Sequence, residues 1–375
     1  MMATVTPWKQ VIRAVLCLGI LFGVTRSYAE EALKEGGIPE GATIIKVMGQ
    51  VHVRPLDQPE WQEATVGMVL KAGSRVETKD DGKATLEFYD HSLLALGEAT
   101  RLNLAVDAAK NAAVNDDAVN DASQRAFSAH VFEGVVRAFV AAQKDKQAFQ
   151  LRTPTAIIGV RGTEFLVNAV FGTTTVIQIE GGVHVNEGEQ SGEGVLLGPG
   201  EMTANTRGRM PMVPVSLKEN PGLEEIRTKL QTFTDSDVPA DIKAREAFRE
   251  ILSRWYISYA SLLTDQKRYE DAETALLIAH NLSYLDNVKS ETLLHVANIH
   301  ARFRNDPKSA FLYLQRIMRD FKDTPKYESA LFQMAMVMNA MNEEERSKAF
   351  LVRYATEFPE GVHISSVKTL LWGQK

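Results

Sequence analysis

The side chains that can carry chemistry do not combine into a catalytic or metal-binding pattern in this sequence. His295 and His300 are five residues apart, which places them on different faces of a helix, and no His-Glu-x-x-His motif occurs. Asp80 with Asp81, and the acidic run 343–345, fall in turns or charged faces where solvation is their ordinary role. No Gly-x-Ser-x-Gly nucleophile motif is present. The sequence therefore predicts a protein that is not an enzyme, with no catalytic residue, no cofactor and no metal site.

One segment places an arginine and two glycines in an otherwise apolar strand: residues 153–165, TPTAIIGVRGTEF. The Arg161 guanidinium must stay hydrated or find a partner, because an unpaired buried charge costs on the order of several kcal/mol. Glu164 and Glu180 are the nearest candidate partners in the sequence. Gly162 predicts a positive φ or a close backbone approach. We favour a structural role for this segment, and anion binding by the Arg161–Thr163 triplet stays open as the alternative.

Composition excludes several classes of protein. Cys17 is the only cysteine among 375 residues, and it lies in an apolar N-terminal run. If that run is removed, disulfides, thiolate metal sites and cysteine nucleophiles are excluded together. The formal net charge is −6 and becomes −9 without residues 1–29, since these contain three basic residues and no acid. Such a charge argues against a nucleic-acid partner.

The first 29 residues have the layout of a secretory signal peptide. Lys9 and Arg13 precede the uncharged run 14–24, and Ser27 and Ala29 are small residues suited to cleavage after Ala29. Eleven helical residues rise only about 16 Å, which is half of a bilayer core. We therefore predict cleavage, export to the periplasm or beyond, and no membrane span afterwards. Retention of the run as an anchor is the alternative.

Residues 41–203 alternate between apolar and polar side chains, which predicts an all-β domain. Turn signals such as Gly181-Gly182 and Pro199-Gly200 separate the short strands. The apolar positions assigned to a core include Ile45, Val47, Val51, Val53, Ala84, Leu86 and Phe88, with Lys83, Thr85 and Glu87 on the opposite, polar face. Residues 105–126 interrupt the pattern as an Ala/Asn/Asp-rich insertion. Residues 204–240 carry four prolines and are interpreted as a linker with a short helix near 223–230.

From residue 241 to residue 375 the period becomes 3.6, which predicts an all-α region. Small residues recur in three helix-turn-helix units, and an extra helix at about 362–372 would cap them. The recurring residues are Ala260, Ala297 and Ala335 in the first helices, and Ala272, Ala310 and Ala349 in the second. This spacing resembles a tetratricopeptide-repeat array, although the full Trp-Leu-Gly-Tyr signature is missing. The resemblance implies a groove that holds a protein partner.

The segment 153–165 resembles the signature of the FecR family of periplasmic domains. Matching residues outside it are Gly49-Gln50-Val51, Trp61, Gly67, Leu70, Gly73, Val76, Thr78, Phe88-Tyr89-Asp90, Ser92, Glu180-Gly181-Gly182-Val183 and Gly198-Pro199-Gly200-Glu201. The resemblance covers residues 43 to about 203 and implies an all-β domain, a sandwich or a β-helix-like fold, outside the cytoplasmic membrane. We interpret the motif residues as structural: Thr153, Pro154, Gly159, Arg161, Gly162, Thr163 and Phe165.

Three departures limit what the resemblance implies. His91 stands where the family has a turn glycine, and Ser74 replaces an acid, so we expect those turns to differ. The best-known FecR proteins carry a cytoplasmic segment that handles a sigma factor, followed by a membrane helix. Residues 1–10 at the N-terminus are too few to form that cytoplasmic segment, so the sigma-regulator role is not carried over.

The sequence thus predicts a multidomain, non-enzymatic periplasmic binding or scaffolding protein. The FecR-like domain would contact an envelope component, with a polysaccharide as one candidate ligand, and the helical repeats would hold a protein partner. A membrane-anchored FecR-like sensor is the first alternative. An accessory protein of cell-wall or polysaccharide processing is the second.

Overall fold

The chain forms strands from Gly41 to Ser216 and helices from Pro221 to Trp372, which confirms the predicted β-then-α order. The computed structural model describes residues 41–108, 125–141, 149–160, 162–187 and 194–373. Within those ranges no helix is both long and apolar enough to cross a membrane. The predicted signal peptide with its cleavage after Ala29, Arg161 and most of the 105–126 insertion lie outside the described residues.

The strands are β1 Gly41–Met48, β2 Val51–Arg54, β3 Gln62–Glu63, β4 Val69–Lys71, β5 Arg75–Thr78, β6 Lys83–Phe88, β7 Leu93–Leu96, β8 Arg101–Ala108, β9 Arg125–Phe139, β10 Phe149–Arg152, β11 Ala156–Val160, β12 Glu164–Val170, β13 Thr173–Glu180, β14 Val183–Glu187, β15 Val195–Leu197, β16 Glu201–Thr206 and β17 Val215–Ser216. The helices are α1 Pro221–Phe233, α2 Ile242–Asp265, α3 Tyr269–Leu282, α4 Asp286–Asn298, α5 Pro307–Asp320, α6 Lys326–Ala340, α7 Glu344–Glu357 and α8 Ile364–Trp372. A π-helical turn, Ile299–Phe303, continues α4.

The strands form two layers that share one long strand. Sheet I has the order β4-β1-β6-β7-β9-β12-β13-β16-β17, and sheet II has the order β3-β2-β5-β8-β9-β10-β11-β14-β15. Strand β9 pairs with β8 and β10 in its first half and with β7 and β12 in its second half. Gly134 lies at the transition with φ +117°, a conformation that L side chains rarely adopt. This bend lets one strand serve both layers.

Both sheets bury one hydrophobic core between them, as in a sandwich. Ile44 and Leu86 of sheet I and Val53 and Leu151 of sheet II are fully buried in the same cluster. Among the strands that the structure describes, all pairings are antiparallel except that of β9 with β10, which is parallel. This architecture answers the sandwich-or-β-helix alternative, because a β-helix is built from parallel strands.

The inward residues of β1 differ from the predicted alternation. Ile44, not Ile45, is fully buried, while Val47 packs against the same core. The pairing with β6 shifts register between Ile44 and Lys46, so Ile45 is the extra residue of a β-bulge. The bulge explains why two core residues three positions apart can face the same side.

The predicted polar face of β6 is also buried, which corrects the sequence interpretation. Lys83 and Thr85 have exposed fractions of 0% and 2%. The outer face of sheet I is covered by α1, α2 and α3, which share a second core with Leu166 and Ile177 of the sheet. A strand covered on both faces buries polar and apolar positions alike.

Residues 204–240 contain the end of β16, β17 and α1, and the α1 helix is longer than the predicted 223–230. Leu223, Ile226 and Leu230 of α1 are buried against sheet I. The assignment of this stretch as a linker, and the domain limits 41–203 and 241–375, stay predictions.

The remaining helices form three successive pairs, α2–α3, α4–α5 and α6–α7, followed by α8. Ala260, Ala297 and Ala335 are buried at the predicted places in the first helix of each pair. Ala272 and Ala310 are buried in the second helices, but Ala349 is exposed. Ser347 takes the equivalent place as the fourth residue of α7: it is buried, and its hydroxyl donates to the Ala335 carbonyl at 2.8 Å.

Candidate functional site

Two threonines of the 153–165 segment tie its first turn to sheet I. The Thr153 hydroxyl accepts from the Ala156 backbone N–H at 2.9 Å and lies 2.7 Å from the Thr174 hydroxyl. The Thr155 hydroxyl lies 2.6 Å from the same Thr174 oxygen and donates to the Asn205 side chain at 3.2 Å. The network holds the β10–β11 turn, in which Pro154 lies, against β13 and β16.

The second half of the segment enters sheet I. Gly162 has φ +61°, as its predicted role requires. Thr163 exchanges two backbone hydrogen bonds with Val140, at 2.8 and 3.1 Å, and Phe165 is fully buried in the sandwich core. Gly159 of β11 differs, because a Cβ at this position would meet no atom within 4 Å.

Glu164, a predicted partner for Arg161, receives hydrogen bonds from Arg137. The Arg137 Nε donates to Glu164 Oε1 at 2.9 Å, and its Nη2 makes a second contact with the same oxygen. Arg137 is 6% exposed and lies on β9 beside β12. The carboxylate therefore neutralises a buried arginine of the neighbouring strand.

Polar groups concentrate where the helices cover sheet I, and we call this contact the seam. It contains three clusters, centred on Lys83, on Arg249 and on Glu273. The Lys83 ammonium donates to the backbone carbonyls of Thr232, Asp235 and Val238, at 3.1, 3.2 and 2.8 Å. The Thr232 carbonyl belongs to the last turn of α1, where partial negative charge accumulates, and Asp235 and Val238 follow that helix. One β6 side chain thus holds the segment between α1 and α2.

Glu98 completes the Lys83 cluster. Its Oε1 lies 3.6 Å from Lys83 Nζ and accepts from the Asp241 backbone N–H at 3.2 Å. Arg245 of α2 lies 3.9 Å from the other oxygen and bonds Asp80 at 2.6 Å. Burial lowers the pKa of Lys83, against the effect of the Glu98 charge, and burial raises the pKa of Glu98, against that of Lys83.

Arg249 of α2 forms the second seam cluster. Its guanidinium lies 4.7 Å from the Phe171 ring centroid and 3.7 Å from that of Tyr284, and its Nε donates to the Leu282 carbonyl at 3.2 Å. Burial lowers the pKa of Arg249 to about 10. Phe171 belongs to the β12–β13 turn and Tyr284 to the α3–α4 loop. Through its ring contacts, Arg249 therefore links α2 to the β12–β13 turn of the sheet and to the α3–α4 loop.

Glu273 of α3 forms the third seam cluster. Its carboxylate accepts from Arg209 of the β16–β17 turn at 2.5 Å, from Tyr313 of α5 at 3.0 Å and from Arg304 at 3.0 Å. His300, on the π-helical turn, lies 3.3 Å away. Desolvation opposes ionisation of this carboxylate, but Arg209 and His300 favour it, and the pKa of Glu273 is lowered overall.

The arrangement holds the two parts of the chain together rather than exposing a reactive group. Within the described ranges no group of three His, Cys, Asp or Glu side chains could hold a metal ion. The sequence interpretation missed Lys83, Glu98, Arg249 and Glu273. Nothing in the strand or helix periods distinguishes these charged residues from solvated ones.

Comparison with known proteins gives one family. Residues 74–184 match the family model described as FecR protein. Two crystal structures of a candidate anti-sigma factor from Parabacteroides distasonis are similar at 17% and 16% identity, with TM-scores of 0.29 and 0.28. The similar part covers 38% and 40% of this chain and 59% and 64% of those chains, which is less than two thirds of their length. No curated protein matches the sequence. Residues 74–184 therefore carry the FecR family domain that the resemblance predicted, and its extension to residues 43–203 stays a prediction.

Proposed function

We propose that this protein is an exported, non-enzymatic regulator of FecR type. Its β region would bind an envelope ligand, and its helical region would hold a protein partner. The observation that carries the proposal is the FecR match over residues 74–184, on a domain that the seam joins to a helical region. The best-known FecR proteins are regulators, so we favour a signalling role for this protein over a purely static scaffold.

The seam supports passage of a signal from sheet to helices. Its three clusters attach β6, the β12–β13 turn and the β16–β17 turn to the segment between α1 and α2, to α2 and to α3 respectively. Because Lys83, Arg249 and Glu273 at the centres of the clusters are buried, a shift of the sheet would move the helices with it. A flexible linker would transmit no such displacement.

The helical region offers one polar face suited to a protein partner. We infer a tetratricopeptide-like stack in which α2, α4 and α6 line a groove. Glu291 of α4 lies 3.8 Å from Arg254 of α2 and 3.3 Å from Lys326 of α6. Arg254 keeps 60% of its side chain exposed. This ladder crosses three helices and leaves Arg254 the most accessible to a partner.

Affinity capture from envelope extract tests the partner. The full chain should retain a discrete protein, and a charge-reversed groove, Arg254→Glu with Lys326→Glu, should lose it. Arg346→Glu, a matched change on the exposed surface of α7, is the control and should capture normally. Equal capture by the groove variant and the control would refute this role for the groove.

Export is tested separately by N-terminal sequencing of the protein from its natural compartment. Cleavage after Ala29 gives a chain beginning at Glu30. A membrane-bound chain that begins at Met1 or Met2 would instead support the anchored sensor, the second candidate that the FecR match favours.

A further inference from the structure

Two arginines lie directly opposite each other on the outer face of sheet II. In the β2–β5 pairing Arg54 is opposite Arg75, and both side chains point away from the core. Directly opposed residues have Cβ atoms about 4.5–5.5 Å apart, and like charges there are destabilising. Neither arginine forms an ion pair within the part of the chain that the structure describes. Such a pair is unexpected on a chain whose net charge is −6.

The pair begins a row that crosses five adjacent strands. Cross-strand partners continue from Arg75 to Asn103, then to His130 and then to Arg152. We call these four residues, together with Arg54, the basic row. At about 4.8 Å per strand the row is about 19 Å long. It contains no carboxylate at any position.

The neighbouring row on the same face has ordinary charge pairing and serves as an internal comparison. His52 lies opposite Glu63 and Glu77, and Glu77 lies opposite Arg101. Arg101 bonds Glu133 at 2.5 Å. Opposite charges thus alternate one step away, while the basic row is made of three arginines, a histidine and an amide. The Arg54–Arg75 pair therefore differs from Arg101, whose charge is balanced by Glu133.

An aromatic ring lies at the start of the basic row. The Arg54 guanidinium lies 5.6 Å from the ring centroid of Trp61, and Trp61 is 44% exposed. An exposed indole packs well on the C–H face of a sugar ring. The Asn103 amide, which both donates and accepts, suits hydroxyl groups.

We propose that the basic row binds an acidic polysaccharide, with carboxylates held between Arg54 and Arg75 and a sugar ring on Trp61. The row runs through the interior of sheet II and not along an edge. Recognition of an extended peptide by a sheet uses free backbone groups at an edge, which these strands do not offer here. Charge complementarity, the indole and the amide together favour a uronic-acid chain over an acidic peptide.

This polysaccharide site rests on the proposed function in one respect, namely that the β region binds a ligand. It is tested with the full chain by calorimetric titration against an oligogalacturonate, a neutral malto-oligosaccharide of equal length and a polyglutamate. The oligogalacturonate should bind at least tenfold more tightly than either comparison polymer. Added salt should weaken the binding.

Arg75→Glu is the diagnostic variant. It should reduce oligogalacturonate binding at least tenfold. Because the new carboxylate would face Arg54 with an opposite charge, the thermal unfolding midpoint of Arg75→Glu should be unchanged or higher. Arg346→Glu is the matched control and should bind like the wild type.

Three outcomes would overturn the proposal: equal binding of neutral and acidic sugars, undiminished binding by Arg75→Glu, or polyglutamate binding as tight as that of the oligogalacturonate. Partner capture depends on Arg254 and Lys326, so its failure would leave this test unaffected.

Discussion

Lys83 and Glu273 show how this fold stabilises buried charge. Lys83 has three carbonyl acceptors and a carboxylate 3.6 Å away, and Glu273 has two arginines and a tyrosine. Removing one member of such a cluster leaves the others buried and unpaired, which costs more than the pair itself contributes. Each cluster joins segments far apart in the sequence. These side chains therefore specify how sheet and helices meet.

Glu273→Gln should destabilise the protein at neutral pH by about 1–3 kcal/mol, because Arg209 and Arg304 lose their shared anion. The loss should shrink in acid. Since the folded pKa of Glu273 is lowered from 4.5, its contribution is present above pH 4.5 and is lost as pH falls through the folded value. Urea unfolding of both proteins between pH 7 and pH 3 measures this. A pH-independent difference would contradict it.

Close approach and sharp bending of strands and helices in this fold depend on small residues. Strand β9 can change sheets because Gly134 adopts a positive φ, and α7 can approach α6 because Ser347 is small. His91 has φ +64° where the FecR pattern has glycine, so that turn keeps the left-handed conformation despite the substitution. Asp241 and Asp306 accept backbone hydrogen bonds at the starts of α2 and α5 and fix where these helices begin.

Gly134→Ala should reduce the free energy of unfolding by at least about 2 kcal/mol, through backbone strain and contact with the Thr100 hydroxyl. A Cβ at residue 134 would lie 2.2 Å from that oxygen. Gly159→Ala, in the same β region but in open space, should change stability by no more than about 1 kcal/mol. Chemical denaturation compares them. Similar losses from both substitutions would show that the β9 bend tolerates a side chain.

Ser347→Leu should destabilise the helical region by about 1–3 kcal/mol, because a larger side chain cannot fit against the Ala335 backbone. Ala349→Leu is the matched substitution two residues away on an exposed position, and it should change stability by less than about 0.5 kcal/mol. Thermal unfolding followed by circular dichroism distinguishes the two. The reverse order would restore Ala349 as the packing residue.

The whole molecule has overlapping cores rather than one. Sheet I, α1, α2 and α3 share a core, α4 to α6 form the next, and α6 to α8 form the last. In the described part of the chain each of these cores shares a helix with the next or lies beside it, so we expect stability to decrease away from the sheet.

Hydrogen exchange should therefore be slower in α2 and α3 than in α7 and α8. Arg249→Met, which removes the cation between Phe171 and Tyr284, should speed exchange in α2 and α3 and leave α7 and α8 unchanged. Arg346→Glu is the surface control. Uniform exchange along the helices would indicate one cooperative unit.

Periodicity and turn residues act over a few positions, so three features could be predicted from the sequence. They are the order of a β region and a helical region, the inward positions Val51, Val53 and Leu86, and the FecR motif. The buried state of Lys83, the bulge at Ile45 and the packing role of Ser347 could not be predicted. Each depends on what covers a surface, and the residues that cover Lys83 lie about 150 positions away along the chain. The basic row likewise exists only through strand register, which brings Arg54 opposite Arg75 and carries the row on to Arg152.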